Sequence, residues 1–177
     1  MRYMEDGKTL FVPPGLLGLL INVSSSILDP VLVPILGRVV IHEMMPKRRG
    51  LYAWSGLHQL RFDKVVDCLV SDLNVAGTER DVRDLSTKTA LEFGALEPLL
   101  MLYKRRLLEV LGRGVRLHSD YSNAQVFFVL WALGHCGERD ADALVNTVLR
   151  NSALFARAFQ CSVNHAMWLQ KPCSFWN

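Results

Sequence analysis

The chain has 177 residues, half of them hydrophobic, with 20 basic and 17 acidic side chains and a net charge of +3. That supplies enough apolar material to fill the core of one compact domain over residues 1–177. The basic residues are scattered or gathered in short clusters such as "KRR" at 47–49 and "YKRR" at 103–106, which excludes the concentrated basic face of a nucleic-acid partner.

Along the chain, "MRYMEDGKTLFVPPG" mixes charges with prolines and lacks the apolar core of a signal peptide. Residues 8–14 read as a short strand ended by Pro13-Pro14, followed by a broken apolar segment to about residue 36. Serines, Asp29, Pro30, Pro34 and Arg38 interrupt this stretch. A bilayer crossing needs about 20 uninterrupted apolar residues, so no transmembrane segment is expected. A buried helix is predicted from Arg38 to Met45 and must end or kink at Pro46, which lacks a backbone donor and clashes with the carbonyl four residues back. Helical spacing recurs over 62–73 and from Asp84 to Gly112, with a break predicted near Pro98. Residues 122–137 read as a buried helix, with Ser122 or Asn123 as its cap. The segment 140–161 closes on another helical run, and an irregular tail leads to Trp176. The expected class is mainly α with a short N-terminal β element.

Cys68, Cys136, Cys161 and Cys173 include no C-x-x-C pair, which excludes finger and thioredoxin-type motifs. Their wide spacing permits disulfides, with three connectivities open. Asn22-Val23-Ser24 is a glycosylation sequon usable in a secreted chain. His58, His118, His135 and His165 are dispersed, and none is paired with another four residues on. His135, beside Cys136 in an apolar helix, reads as a packed histidine. No G-x-S-x-G motif occurs, so a serine nucleophile lacks its setting.

"VVIHEMMPKRRG" at 39–50 opens an H-E-x-x-H arrangement with His42 and Glu43 but places Pro46 where the second His would stand. Near the C-terminus, "NSALFARAFQCSVNHAMWLQKPCSFW" carries Phe159, Cys161, Met167, Cys173 and Trp176. "QVFFVLWALGHC" carries Gln125, Phe127, Phe128, Ala132 and Cys136. With "LFVPPGLL" and "GRVVIHEM" upstream, these blocks resemble, in order, the C-terminal part of the neprilysin/endothelin-converting-enzyme family of zinc metallopeptidases.

The resemblance implies an incomplete, zincin-like (thermolysin-type) C-terminal peptidase domain and a zinc cofactor. His42 would be the first zinc ligand and Glu43 the general base. The family's third ligand is the Glu of G-E-N-x-x-D, whose Asp orients a ligand His. In "VAGTERDVRDLS", Glu79 as ligand puts Arg83 four residues later, and Asp84 in the second role puts the ligand at Arg80. Glu79, Arg80, Asp81, Arg83 and Asp84 read from the residues alone as an exposed charged helix face. The family's His and Arg before "V-N-G-x-L-x-N-S" have no counterpart in "CGERDADALVNTVLRNS": Leu144 stands at the Arg position. The Asn-Ala-aromatic substrate clamp would lie just before Tyr3.

These departures predict a peptidase homologue that has lost zinc and activity, with peptides or a protein partner still bound. An unorthodox zinc site of His42, Glu79 and Asp81 is the enzymatic alternative, and an unrelated binding module the other. By resemblance Cys68 pairs with Cys173, whereas the counterparts of Cys136 and Cys161 bond to an N-terminal lobe. These two thiols would stay free, pair with each other or bond to another chain. The family is extracellular or membrane-associated.

Overall fold

A computed structural model describes residues 2–3, 10–11, 28–38, 40, 56–73 and 77–175. Arg2–Tyr3 (β1) and Leu10–Phe11 (β2) form a two-residue antiparallel ladder. Of the strand expected over 8–14, only Leu10–Phe11 falls among the described residues. Two paired residues on each side are too few to add a layer to the architecture. The described part is otherwise helical: α1 Leu28–Leu32, α2 Gly56–Asp72, α3 Glu79–Leu111, α4 Asn123–Leu133, α5 Ala141–Arg150 and α6 Ala153–Phe159.

The 33-residue α3 is the axis of the fold. Thr78 caps its start: the hydroxyl accepts from the Asp81 backbone N–H, and the Asp81 carboxylate accepts from the Thr78 backbone in return. Gly112 ends it with a positive φ of 81°. The break expected near Pro98 does not occur, because α3 runs through this residue without interruption. Leu96, Leu99, Leu100 and Tyr103 straddle it, each exposed by 2% or less. Burying side chains of this size contributes about 1.5–3 kcal/mol each, which outweighs the roughly 3 kcal/mol that an interior proline costs.

Two apolar clusters flank α3. In the larger, Ala95, Leu96, Leu99, Leu100 and Tyr103 meet Phe127, Phe128 and Trp131 of α4, Leu144, Val148 and Leu149 of α5, and Phe155 of α6. Ring centroids 5.2–5.4 Å apart link Tyr103, Phe127, Phe128 and Phe155. The smaller cluster sets Phe62, Val65, Val66 and Leu69 of α2, spaced for one helix face, against Ala90 and Cys173.

α1 leads directly into a π-helical turn, Val33–Gly37. Pro34 cannot donate the bond that would continue an α-helical turn, and the backbone widens there. Gly37 lets this turn lie close on α3: a Cβ at that position would fall 2.7 Å from Leu99 Cδ2. The turn also packs on α4. Arg38 and Val40 continue in helical geometry, but the rest of the helix expected up to Met45 lies outside the described residues. The helix expected over 122–137 stops at Leu133, where Gly134 closes the last turn, and Ser122 is its cap with Gln125 in reciprocal contact. The run over 140–161 divides into α5 and α6 at Asn151-Ser152, with Ser152 capping α6.

The tail is tied down at several points. Cys68 and Cys173 form a disulfide with their Cα atoms 6.0 Å apart, the pairing implied by resemblance. Asn151 accepts from the Cys173 backbone N–H at 2.7 Å and donates to Asp72 at 2.7 Å and to the Thr147 carbonyl. Arg150 pairs with the same aspartate. One buried asparagine thus joins the ends of α2 and α5 to the tail. Beyond it, the Phe175 ring lies over Gly94, where a Cβ would fall 2.7 Å from the ring, and meets Phe62 and Phe93 edge-on.

Candidate functional site

His42, Glu43 and Pro46 lie outside the described residues, as does Trp176. Glu79, Arg80, Asp81, Arg83 and Asp84 all sit exposed on the first turns of α3. Glu79 and Asp84 are five residues apart, about 140° around a helix axis, so they do not share one face as a ligand and its supporting carboxylate would at a spacing of four. Asp81 is engaged with Thr78, whose hydroxyl also donates to its carboxylate at 2.6 Å, and this contact together with the Thr78 backbone holds its carboxyl below the usual range. Among the described residues, no group of three His, Cys, Asp or Glu is placed to hold a metal ion. The carboxylates present on α3 do not fit the family's zinc-supporting pair.

Leu144 is fully buried in the larger cluster. His58 lies on α2, whereas His118 and His165 belong to exposed connections, where each ring accepts a backbone N–H. Cys136 is exposed and Cys161 half-buried, and both are free thiols.

The concentration of buried charge lies elsewhere, where the π turn, α3 and the end of α4 converge. Arg38 donates from Nη1 to Glu92 Oε1 at 2.8 Å, and from Nη2 to the Gly134 carbonyl at 2.9 Å and to Glu138 Oε1 at 3.1 Å. Lys88 Nζ donates to the other oxygen of Glu138 at 2.7 Å. His135 Nδ1 lies 3.3 Å from both Arg38 Nη1, a donor, and Glu138 Oε2, an acceptor, so each neutral tautomer can satisfy one of the two. The His135 ring packs edge-on against Trp131 at 4.6 Å. Glu92 Oε2 and His135 Nε2 face each other at 3.8 Å, both buried and neither with a hydrogen-bond partner. Glu92 and His135 are each 1% exposed.

This enclosure perturbs each group differently. Burial pushes Glu92 up to about 7, and Arg38 only partly offsets it. Burial, reinforced by the charge of Arg38, holds His135 down at about 4, so its imidazole is neutral at physiological pH. Burial raises Glu138 as well, but the Lys88 hydrogen bond and the Arg38 charge outweigh it and hold the carboxyl at about 2.

The packed-histidine reading of His135 matches its surroundings. The roles of Arg38, Glu92, Glu138 and Lys88 were not read from the sequence. A signal was there: Glu92 precedes Leu96, Leu99 and Tyr103 by four, seven and eleven residues, which puts a carboxylate on the apolar stripe of α3. Its partner, the arginine inside the apolar stretch before His42, could not be paired with it by spacing.

A half-enclosed groove of about 340 Å³ opens between α3, the start of α6 and the tail, lined among others by Phe93, Leu96, Glu97, Leu154 and Phe175. No helix among the described residues is long and apolar enough to cross a membrane.

The chain is 26% identical over 145 residues to Neprilysin-1 of Caenorhabditis elegans, in a match that takes in 70% of this chain and 19% of that protein. The chain thus spans about a fifth of the length of the curated relative it matches. No family model matches the chain, and no solved structure matches it. The likeness points to a neprilysin-like relationship within the metallopeptidases.

Proposed function

We propose that residues 1–177 form one unit descended from the C-terminal part of a neprilysin-like, zincin-type zinc peptidase, that it no longer cleaves peptides, and that its remaining role is binding a peptide or protein. The observation that carries this reading is Pro46: a proline has no lone pair to offer a cation, and it stands at the position of the second zinc ligand. Three further features support it. Glu79 and Asp84 do not share a helix face. Asp81, the carboxylate that an unorthodox site would recruit, is committed to its helix cap. Leu144, at the position of the substrate-binding arginine, is buried in the core.

In this reading His42, Glu43 and Glu79 are relics of a ligand set and its general base. The Cys68–Cys173 disulfide supports an extracellular or membrane-associated setting. Cys136 and Cys161 are the points through which a further lobe or a second chain attaches.

Metal analysis of the purified protein, run with a quenched-fluorescence peptide cleavage assay, tests the proposal. We expect substoichiometric zinc and no chelator-sensitive cleavage. Pro46→His alone leaves the protein inactive, because the other groups are still missing. Stoichiometric zinc lost on His42→Ala, with cleavage lost on Glu43→Gln, overturns the proposal in favour of the His42, Glu79 and Asp81 site.

A further inference from the structure

Arg38 closes the segment 28–38 onto the rest of the molecule. On its other side this segment makes apolar contact: Pro30 and Pro34 are buried, Val33 packs on the larger cluster, and Gly37 lies against Leu99. Arg38 supplies the charged hold, and its acceptors come from two elements, Glu92 on α3 and the Gly134–Glu138 turn after α4. We propose that Arg38, Glu92, His135 and Glu138 form a proton-operated clasp that holds segment 28–38 against α3 and α4 while Glu92 is ionised and loosens it on acidification.

Glu92 Oε2 and His135 Nε2 are buried, unpartnered and face each other, so these are the atoms in the cluster with room for a proton. A proton on Glu92 removes the anion that Arg38 faces at 2.8 Å. A proton on His135 sets a second cation 3.3 Å from the same guanidinium nitrogen. Both events oppose the seat of Arg38. The remaining charged neighbours do not compensate. Glu138, already ionised, is shared between Arg38 and Lys88, and Lys88 is a further cation. Glu92, raised by burial to about 7, is protonated first, and His135, held near 4, follows in stronger acid. The carbonyl of Gly134 and the carboxylate of Glu138 keep part of the hold in place, so the segment loosens without leaving the fold. The clasp is independent of zinc and of any peptide bound, and it stands whether or not the chain is a peptidase relic.

Hydrogen exchange read by mass spectrometry tests it, with rates corrected for the intrinsic pH dependence of amide exchange and peptides from 95–103 as internal reference. In the wild type, protection of peptides over 28–38 is expected to fall about threefold between pH 7.5 and 5.5, the part of the roughly fivefold-to-tenfold difference between a charge-assisted and a neutral hydrogen bond that remains when Glu92 is already partly protonated at 7.5, while the reference peptides hold. Glu92→Gln, which fixes the neutral form, shows the lowered protection at both pH values. His135→Gln retains the change between 7.5 and 5.5 and loses the further drop towards pH 4. Unchanged or rising protection of 28–38 in the wild type at pH 5.5 overturns the proposal, and so does a pH response that survives Glu92→Gln. Should Glu92→Gln also lose protection in the reference peptides, the wild-type comparison decides alone.

Discussion

Arg38 and Glu92 show what a buried charge demands. Taking an ion out of water costs several kcal/mol, and the attraction between two such ions roughly repays that cost only when both are present. Arg38→Met leaves Glu92 enclosed without its cation and is expected to cost about 3–5 kcal/mol at neutral pH. In the double variant Arg38→Met/Glu92→Leu most of that loss returns, because no orphaned charge remains. Urea denaturation of both variants measures the difference. The pH dependence of global stability follows from the same groups. Glu92, raised from 4.5 to about 7, stabilises fully below 4.5, and this contribution is lost as the pH rises through 7. His135, lowered from 6.5 to about 4, stabilises fully above 6.5, and this contribution is lost as the pH falls through 4. Glu138, lowered from 4.5 to about 2, stabilises above 4.5 and loses that effect as the pH falls through 2. Between pH 4.5 and 6.5 the Glu92 and His135 contributions oppose each other, so the wild-type urea midpoint should change little. Glu92→Gln removes one side, and its midpoint should fall steadily from pH 6.5 to 4.5. Global unfolding exposes Glu92 to water, whereas the proposed loosening takes away its arginine while α3 and the turn after α4 still enclose it, so on this proposal the same proton strengthens the fold and weakens the clasp.

Among the elements, α3 is where local preference and packing disagree. Pro98 argues for two helices, and the stripe of Leu96, Leu99, Leu100 and Tyr103 argues for one. Packing prevails, but the missing hydrogen bond still weakens the helix. Pro98 is exposed, so Pro98→Ala restores a backbone donor without disturbing the core. The substitution is expected to raise stability by about 1–2 kcal/mol, less than the full helix penalty because alanine also frees the unfolded chain. A rise in the urea midpoint with an unchanged slope would bear this out. The sequence leaves the cap of α4 between Ser122 and Asn123, and Ser122 takes it with Gln125; the break at Asn151-Ser152 was not read from the residues, although it too is a side-chain solution to orphaned backbone groups at a helix start.

At the scale of the whole molecule, the Cys68–Cys173 bond closes a loop across 105 positions, and the Asn151 contacts and the Phe175 ring over Gly94 seat the tail beside it. In the chain-entropy description a loop of this length is worth about 4.7 kcal/mol. Reduction should therefore lower the unfolding free energy by about 4–5 kcal/mol in chemical denaturation. Tail peptides over 168–175 should then exchange sooner than those of α4, since Asn151 and Phe175 are left to hold the tail alone. A loss well under 2 kcal/mol would mean that these contacts already restrain it.

Periodicity and capping are short-range properties, and they made helices legible from the residues over 62–73, 84–112 and 122–137, the last of which ends early at Leu133, along with the exposed charged start of α3. The identities of Pro46 and Leu144 likewise stand in the sequence, as does the order of blocks that carries the neprilysin resemblance. The tertiary structure alone decided which charges would be enclosed. Arg38 lies 54 positions from Glu92 and 97 from His135, and no spacing rule reaches so far along a chain. It also decided that α3 would pass through Pro98 unbroken, because the apolar contacts that offset a proline come from other helices. Local sequence determines what each segment can form by itself. Burial, which depends on everything packed around it, determines which side chains lose their water, and with it which of them can hold or release a proton.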